Sequence, residues 1–158
     1  MKKIIPIWNS DGSCAEESEN KTFCMAPWSH TYISPQGERR LCCASREEHS
    51  FQKQYIDATN DKRYEIPLPE NSSYSFNPVS LKEHWNSSYM CDIRKKLIAG
   101  EKIPQCDVCN NEILSLNPYK DWFNGIFKHK IQEAFDSTDE TGRTSMPVIS
   151  FDYRYSNI

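Results

Sequence analysis

The sequence predicts an α+β fold: a small β-hairpin and several helices around a four-cysteine metal site, with a long amphipathic helix and a C-terminal strand. Three observations carry this expectation. Two cysteine pairs bracket the middle of the chain, Cys24 with Cys42 and Cys106 with Cys109. A turn-containing, alternating stretch lies between the first pair, and apolar residues at three- and four-residue spacing follow the second.

The elements follow in chain order. Residues 1–22 are a polar lead-in whose acidic residues Glu16, Glu17 and Glu19 read as a solvated face; Cys14 lies here with no assigned role. Residues 23–116 form the metal-binding domain. Its hairpin runs through "HTYIS", the turn "PQG" and "ERRLCC", with Pro35 and Gly37 supplying the turn chemistry. Residues 44–79 are polar, mixed in charge and without periodicity, and read as a loop or insertion. Leu81 and Trp85 suggest a short helical turn, and Asn86 or Ser87 can cap the helix that follows. On that helix Tyr89, Met90, Ile93 and Leu97 share a face, Gly100 suits its C-terminal cap and Pro104 blocks continuation.

Asn117 and Pro118 form a cap and first-turn pair for a long amphipathic helix over 117–137, carrying Tyr119, Trp122, Phe123, Ile126, Phe127, Ile131, Ala134 and Phe135. Residues 138–158 begin as a Ser/Thr/Gly-rich linker and end in "PVISFDYRYSNI", which alternates like a strand.

Composition bounds the function. The 158 residues suit one domain, while 37% hydrophobic residues and a mean hydropathy of -0.75 imply a small core with solvated segments. A net charge of -3 with interspersed signs gives no basic stripe, so neither nucleic acid nor a membrane surface is an expected partner. Asn9, Ser10 and Asp11 interrupt the apolar start, and no segment approaches the roughly 18 apolar residues of a membrane span. A cytoplasmic protein is expected. An odd count of seven cysteines in a reducing compartment then argues against a disulfide framework and for metal.

Cys106 and Cys109 form a Cys-x-x-Cys pair, a spacing that lets one tight turn aim two thiolates at a metal or cluster. A redox dithiol would want this pair opening a helix after a strand, whereas here a helix and Pro104 precede it. Cys24 and Cys42 complete a four-thiolate set. Strand parity points Cys43 away if Cys42 faces the metal. The alternative for Cys24 and Cys42 is a packed thiol, the reading favoured for Cys91. His30 reads as a structural histidine and His129 as solvated, His49 and His84 lack partners at ligand spacing, and Trp28 is either a cluster shield or core. Four thiolates also suit tetrahedral zinc, although zinc ribbons pair two short Cys-x-x-Cys knuckles and the first half here is long.

Twelve residues separate Cys24 from Gly37, and four separate Gly37 from Cys42. This opening resembles the Twitch and SPASM auxiliary iron-sulfur domains of radical SAM enzymes. "FCMAPW", "SLKEHWNSSYMCDIRKKLIAGEKIPQCDVC" with Glu112, and "SFDYRYSNI" are similar to the subgroup whose Twitch-like domain precedes the radical SAM barrel. The resemblance implies a β-hairpin and helix around one [4Fe-4S] cluster held by Cys24, Cys42, Cys106 and Cys109, because no cysteine follows Cys109 to serve a second cluster. It implies a role in electron relay or substrate binding, with a peptide or small molecule as substrate and no catalysis by this segment alone. It further implies that 138–158 lead into the first strand of a barrel in the same chain, with the Cys-x3-Cys-x2-Cys motif of the SAM cluster expected beyond Ile158. Structural zinc in a scaffold protein is the alternative.

Overall fold

The computed structural model describes residues 2–11, 13–33, 39–45, 80–111 and 119–153. Expectations for the hairpin turn at 34–38, the stretch 46–79, the Asn117–Pro118 cap, Glu112 and residues 154–158 lie outside the described residues. The described elements are a mixture of short helices and strands, as expected. They run α1 (Ala26–Ser29), β1 (His30–Ile33), β2 (Arg39–Arg40), α2 (Leu81–Trp85), α3 (Ser88–Ile98), α4 (Asp107–Asn110), α5 (Tyr119–Ile126), α6 (Ile131–Asp136) and β3 (Ser150–Tyr153). Single 3-10 turns at Pro104–Cys106 and Lys128–Lys130 lead into α4 and α6.

β1 and β2 pair antiparallel with Tyr32 opposite Arg40, the hairpin expected from the alternation. β3 adds to the other edge of β1 in parallel, from His30 opposite Ser150 to Ile33 opposite Tyr153, giving the order β2-β1-β3. This pairing joins residues 120 positions apart in sequence, and alternation within either segment carries no trace of it. The Ser150 hydroxyl reinforces it at 2.8 Å from His30 Nδ1, and Ile149 N–H donates to the Ser29 carbonyl at 3.0 Å.

Helix boundaries obey local chemistry. Ser80 and Glu83 form a reciprocal capping box on α2, and the Ser87 side chain accepts from Met90 N–H to start α3. Past α3, Gly100 takes a left-handed φ of 80°, which lets the chain turn away. Met90, Ile93, Leu97 and Ile98 of α3 pack into a core centred on Phe23, whose ring lies 5.2 Å from Trp28 and 5.0 Å from Phe135.

The single long helix expected over 117–137 is a correction. The chain forms α5, a 3-10 turn and α6, with the break just after Gly125, the poorest helix former in the segment apart from proline. The break re-aims the apolar residues: Ile131, Ala134 and Phe135 enter the core from α6, whereas Tyr119, Trp122 and Ile126 of α5 are exposed, Trp122 by 58%.

Two segments with polar composition are also packed. Within 1–22 the three glutamates are exposed, yet Asn20 is fully buried, with Nδ2 donating to the carbonyls of Ile4 and Leu97 and Oδ1 accepting from Phe23 N–H. The stretch from Thr138 to Met146 closes as a turn rather than running as a free linker. Arg94, Asn86 and Trp85 donate to the carbonyls of Gly142, Thr144 and Met146, and those bonds hold the turn against α3.

Candidate metal centre

Cys24 lies two residues ahead of α1, where it is buried and its sulfur accepts from Ala26 N–H at 3.4 Å. Cys42 lies two residues beyond β2 in a turn that Ser45 closes, its N–H donating to the Cys42 carbonyl at 3.2 Å and its hydroxyl at 2.9 Å. Cys106 ends the Pro104 turn, and Cys109 follows within α4. Elements distant in sequence thus deliver two cysteines each.

All four converge. Cys24, Cys42, Cys106 and Cys109 line one pocket of about 400 Å³, its open mouth included, walled by Ala26, Leu41, Phe123 and Lys120 among others. Cys43 is half-buried and does not line this pocket. Cys42 lies beyond the end of β2 at Arg40, so strand parity does not govern which of Cys42 and Cys43 faces the pocket. Cys14 donates to the Asn20 carbonyl and Cys91 to the Asn86 carbonyl, so both thiols are engaged away from the pocket. His30 packs its ring 4.9 Å from Phe123, a structural role, and Trp28 is core, donating from Nε1 to the Thr138 hydroxyl at 2.7 Å.

Burial sets the electrostatics. It pushes the Cys24 thiol well up, with the neighbouring sulfurs of Cys106, Cys42 and Cys109 adding to the shift. It raises Cys42 and Cys106 to about 12, opposed at Cys42 by the backbone N–H groups of Ala44 and Ser45 and at Cys106 by the Lys120 ammonium. Thiols so placed favour the neutral form until a cation compensates for desolvation. A donor set of four soft sulfurs in a largely apolar pocket, with N–H groups directed at two of them, fits an iron-sulfur cluster or zinc. Among the described residues, no three His, Cys, Asp or Glu side chains are gathered at the spacing of a single-ion site.

Three polar residues, in or near the elements that carry the pocket, belong to no sequence motif. Asn124 of α5 is buried and brackets Cys24: its Oδ1 accepts from Met25 N–H at 2.8 Å and its Nδ2 donates to the Phe23 carbonyl at 2.9 Å. Arg94 of α3 is buried and ties α1 to the Thr138–Met146 turn, donating to the carbonyls of Pro27 at 2.9 Å, Trp85 at 2.6 Å and Gly142 at 3.4 Å, and to Asn86 Oδ1 at 3.0 Å. Its guanidinium lies 4.8 Å from the Trp85 ring centroid. The third is Lys120, on the pocket wall.

The pocket gathers four cysteines, Cys24 and Cys42 from either side of the hairpin and Cys106 and Cys109 from the turn after α3. Comparison with family models narrows the class: residues 24–110 match the SPASM iron-sulfur cluster-binding domain. The chain belongs to this family, whose members are auxiliary domains of radical SAM enzymes and usually accompany a radical SAM core. Neither the curated proteins nor the solved structures yielded a match. The match spans all four pocket cysteines, while α5, which supplies Tyr119, Lys120 and Phe123 to the pocket, lies beyond it. No helix among the described residues is long and apolar enough to cross a membrane.

Proposed function

We propose that this chain is an auxiliary [4Fe-4S] domain whose cluster is held by Cys24, Cys42, Cys106 and Cys109, serving a radical SAM core in electron relay or in binding a peptide or small-molecule substrate. The observation that carries the reading is the convergence of these four sulfurs, and not those of Cys14, Cys43 or Cys91, on one pocket. When bound, the cluster supplies one-electron redox chemistry or an iron site for substrate. The chain's own contribution is to hold four thiolates, exclude water with Ala26, Leu41 and Phe123, and direct N–H donors at the sulfurs of Cys24 and Cys42. A zinc site would draw all its thiolates to about 2.3 Å from one ion, whereas a cluster places each on its own iron. The match of residues 24–110 to an iron-sulfur cluster-binding family favours the cluster. Residues 138–158 are proposed to lead toward the radical SAM core.

Single alanine variants test the ligand set. Each of Cys24→Ala, Cys42→Ala, Cys106→Ala and Cys109→Ala should lose visible charge-transfer absorbance and bound iron after anaerobic reconstitution, while Cys14→Ala, Cys43→Ala and Cys91→Ala should retain both. Retention by Cys42→Ala together with loss by Cys43→Ala would overturn the assignment.

A further inference from the structure

Lys120 supplies a positive charge to the wall of the four-cysteine pocket. Its Nζ donates to the Lys21 carbonyl at 2.6 Å and to Asn110 Oδ1 at 3.4 Å. Both acceptors are neutral, so neither contact cancels the charge, which the neighbouring Asp121 carboxylate offsets in part. The first belongs to the segment entering Cys24 and the second to the residue after Cys109, and together they fix the ammonium between the two ligand-bearing parts of the chain. Asn110 holds a further polar atom at this place: its Nδ2 is buried without a hydrogen-bond partner. Lys120 and Cys106 line the same pocket, so the ammonium acts on that sulfur at short range, with the Asp107 carboxylate of α4 acting in the other direction.

Four thiolates give an iron-sulfur cluster net negative charge, and taking up one electron makes that charge larger. A fixed cation at the pocket wall therefore stabilises the reduced form more than the oxidised form, by an amount that solvent at its exposed contact with Lys21 reduces. We infer that Lys120 sets the reduction potential of the cluster held at this pocket, its positive charge making one-electron reduction easier. This rests on the cluster reading above.

The test uses the whole chain, loaded anaerobically with iron and sulfide, assayed for iron, and then titrated potentiometrically with the reduced form followed by electron paramagnetic resonance. Lys120→Met, which keeps the stem and removes the charge, should hold as much iron as the parent chain and show a more negative potential; Lys120→Arg should stay close to the parent value. Lys120→Gln separates charge from tethering, because it removes the charge but keeps a donor for Lys21 and Asn110. Its potential should fall together with that of Lys120→Met. A parent-like potential in either neutral variant at full iron content overturns the inference and leaves the cluster reading standing. A parent chain that takes up no iron overturns the cluster reading itself.

Discussion

Removing the Asn124 amide should loosen the site without touching a sulfur. In Asn124→Ala, Met25 N–H and the Phe23 carbonyl lose partners at 2.8 and 2.9 Å, and both belong to buried residues that flank Cys24. A buried backbone group left unsatisfied costs about 1–3 kcal/mol, so the pair costs about 2–6 kcal/mol, with the low end reached if water enters the vacated space. At about 2–4 °C per kcal/mol for a chain of this size, a loss of about 3 kcal/mol lowers Tm by about 6–12 °C. The assay is anaerobic urea unfolding of the metal-loaded chain at fixed protein and metal concentration, followed by tryptophan fluorescence. Gln132→Ala, which removes one exposed contact to Asp136, serves as the surface control and should change stability by less than about 0.5 kcal/mol. Asn124→Ala should also surrender iron to a chelator faster, since the backbone on both sides of Cys24 is no longer pinned. A loss below about 0.5 kcal/mol with an unchanged chelation rate would refute the reasoning.

Arg94→Met should destabilise the chain by about 3–5 kcal/mol in the same urea assay, because it strips the buried carbonyls of Pro27, Trp85 and Gly142 of this donor at once; Arg94→Lys should recover only part, lacking the planar fork that reaches them. An Arg94→Met variant of parent stability would contradict the clasp described above. In the metal-free chain the raised thiols of Cys24, Cys42 and Cys106 hold protons that the unfolded chain releases, so their contribution is fully present below the ordinary thiol value of 9.0 and is lost as pH climbs toward about 12. Urea midpoints at stepped pH should fall across that window, and a rise there would show the opposite sign. Metal binding needs the thiolates, so iron uptake should release protons, readable as acidification of a weakly buffered sample.

What was legible in the sequence was local. The spacing of the cysteines, the Ser87 cap, the Gly100 turn and the hairpin each depend on residues within a few positions of one another, and the structure reproduces them. The four cysteines that line the pocket are those whose two spacings a turn or a hairpin can close. What depended on distant partners was not. Asn124 and Arg94 occupy helix positions where a polar residue ordinarily faces solvent, and their burial follows from which carbonyls the tertiary fold brings beside them. Lys120 reads as a surface cation until α5 is placed against Lys21 and Asn110. The pairing of β1 with β3 is likewise non-local, and Gly125 within an otherwise periodic stretch was a weaker signal than the eight apolar residues around it.

The most direct test of the central claim is the iron, acid-labile sulfide and zinc content per chain of protein purified without oxygen. Four thiolates on one [4Fe-4S] cluster predict about four iron and about four sulfide per chain, with zinc well below stoichiometric. A colourless protein with one tightly bound zinc and no sulfide would contradict the account.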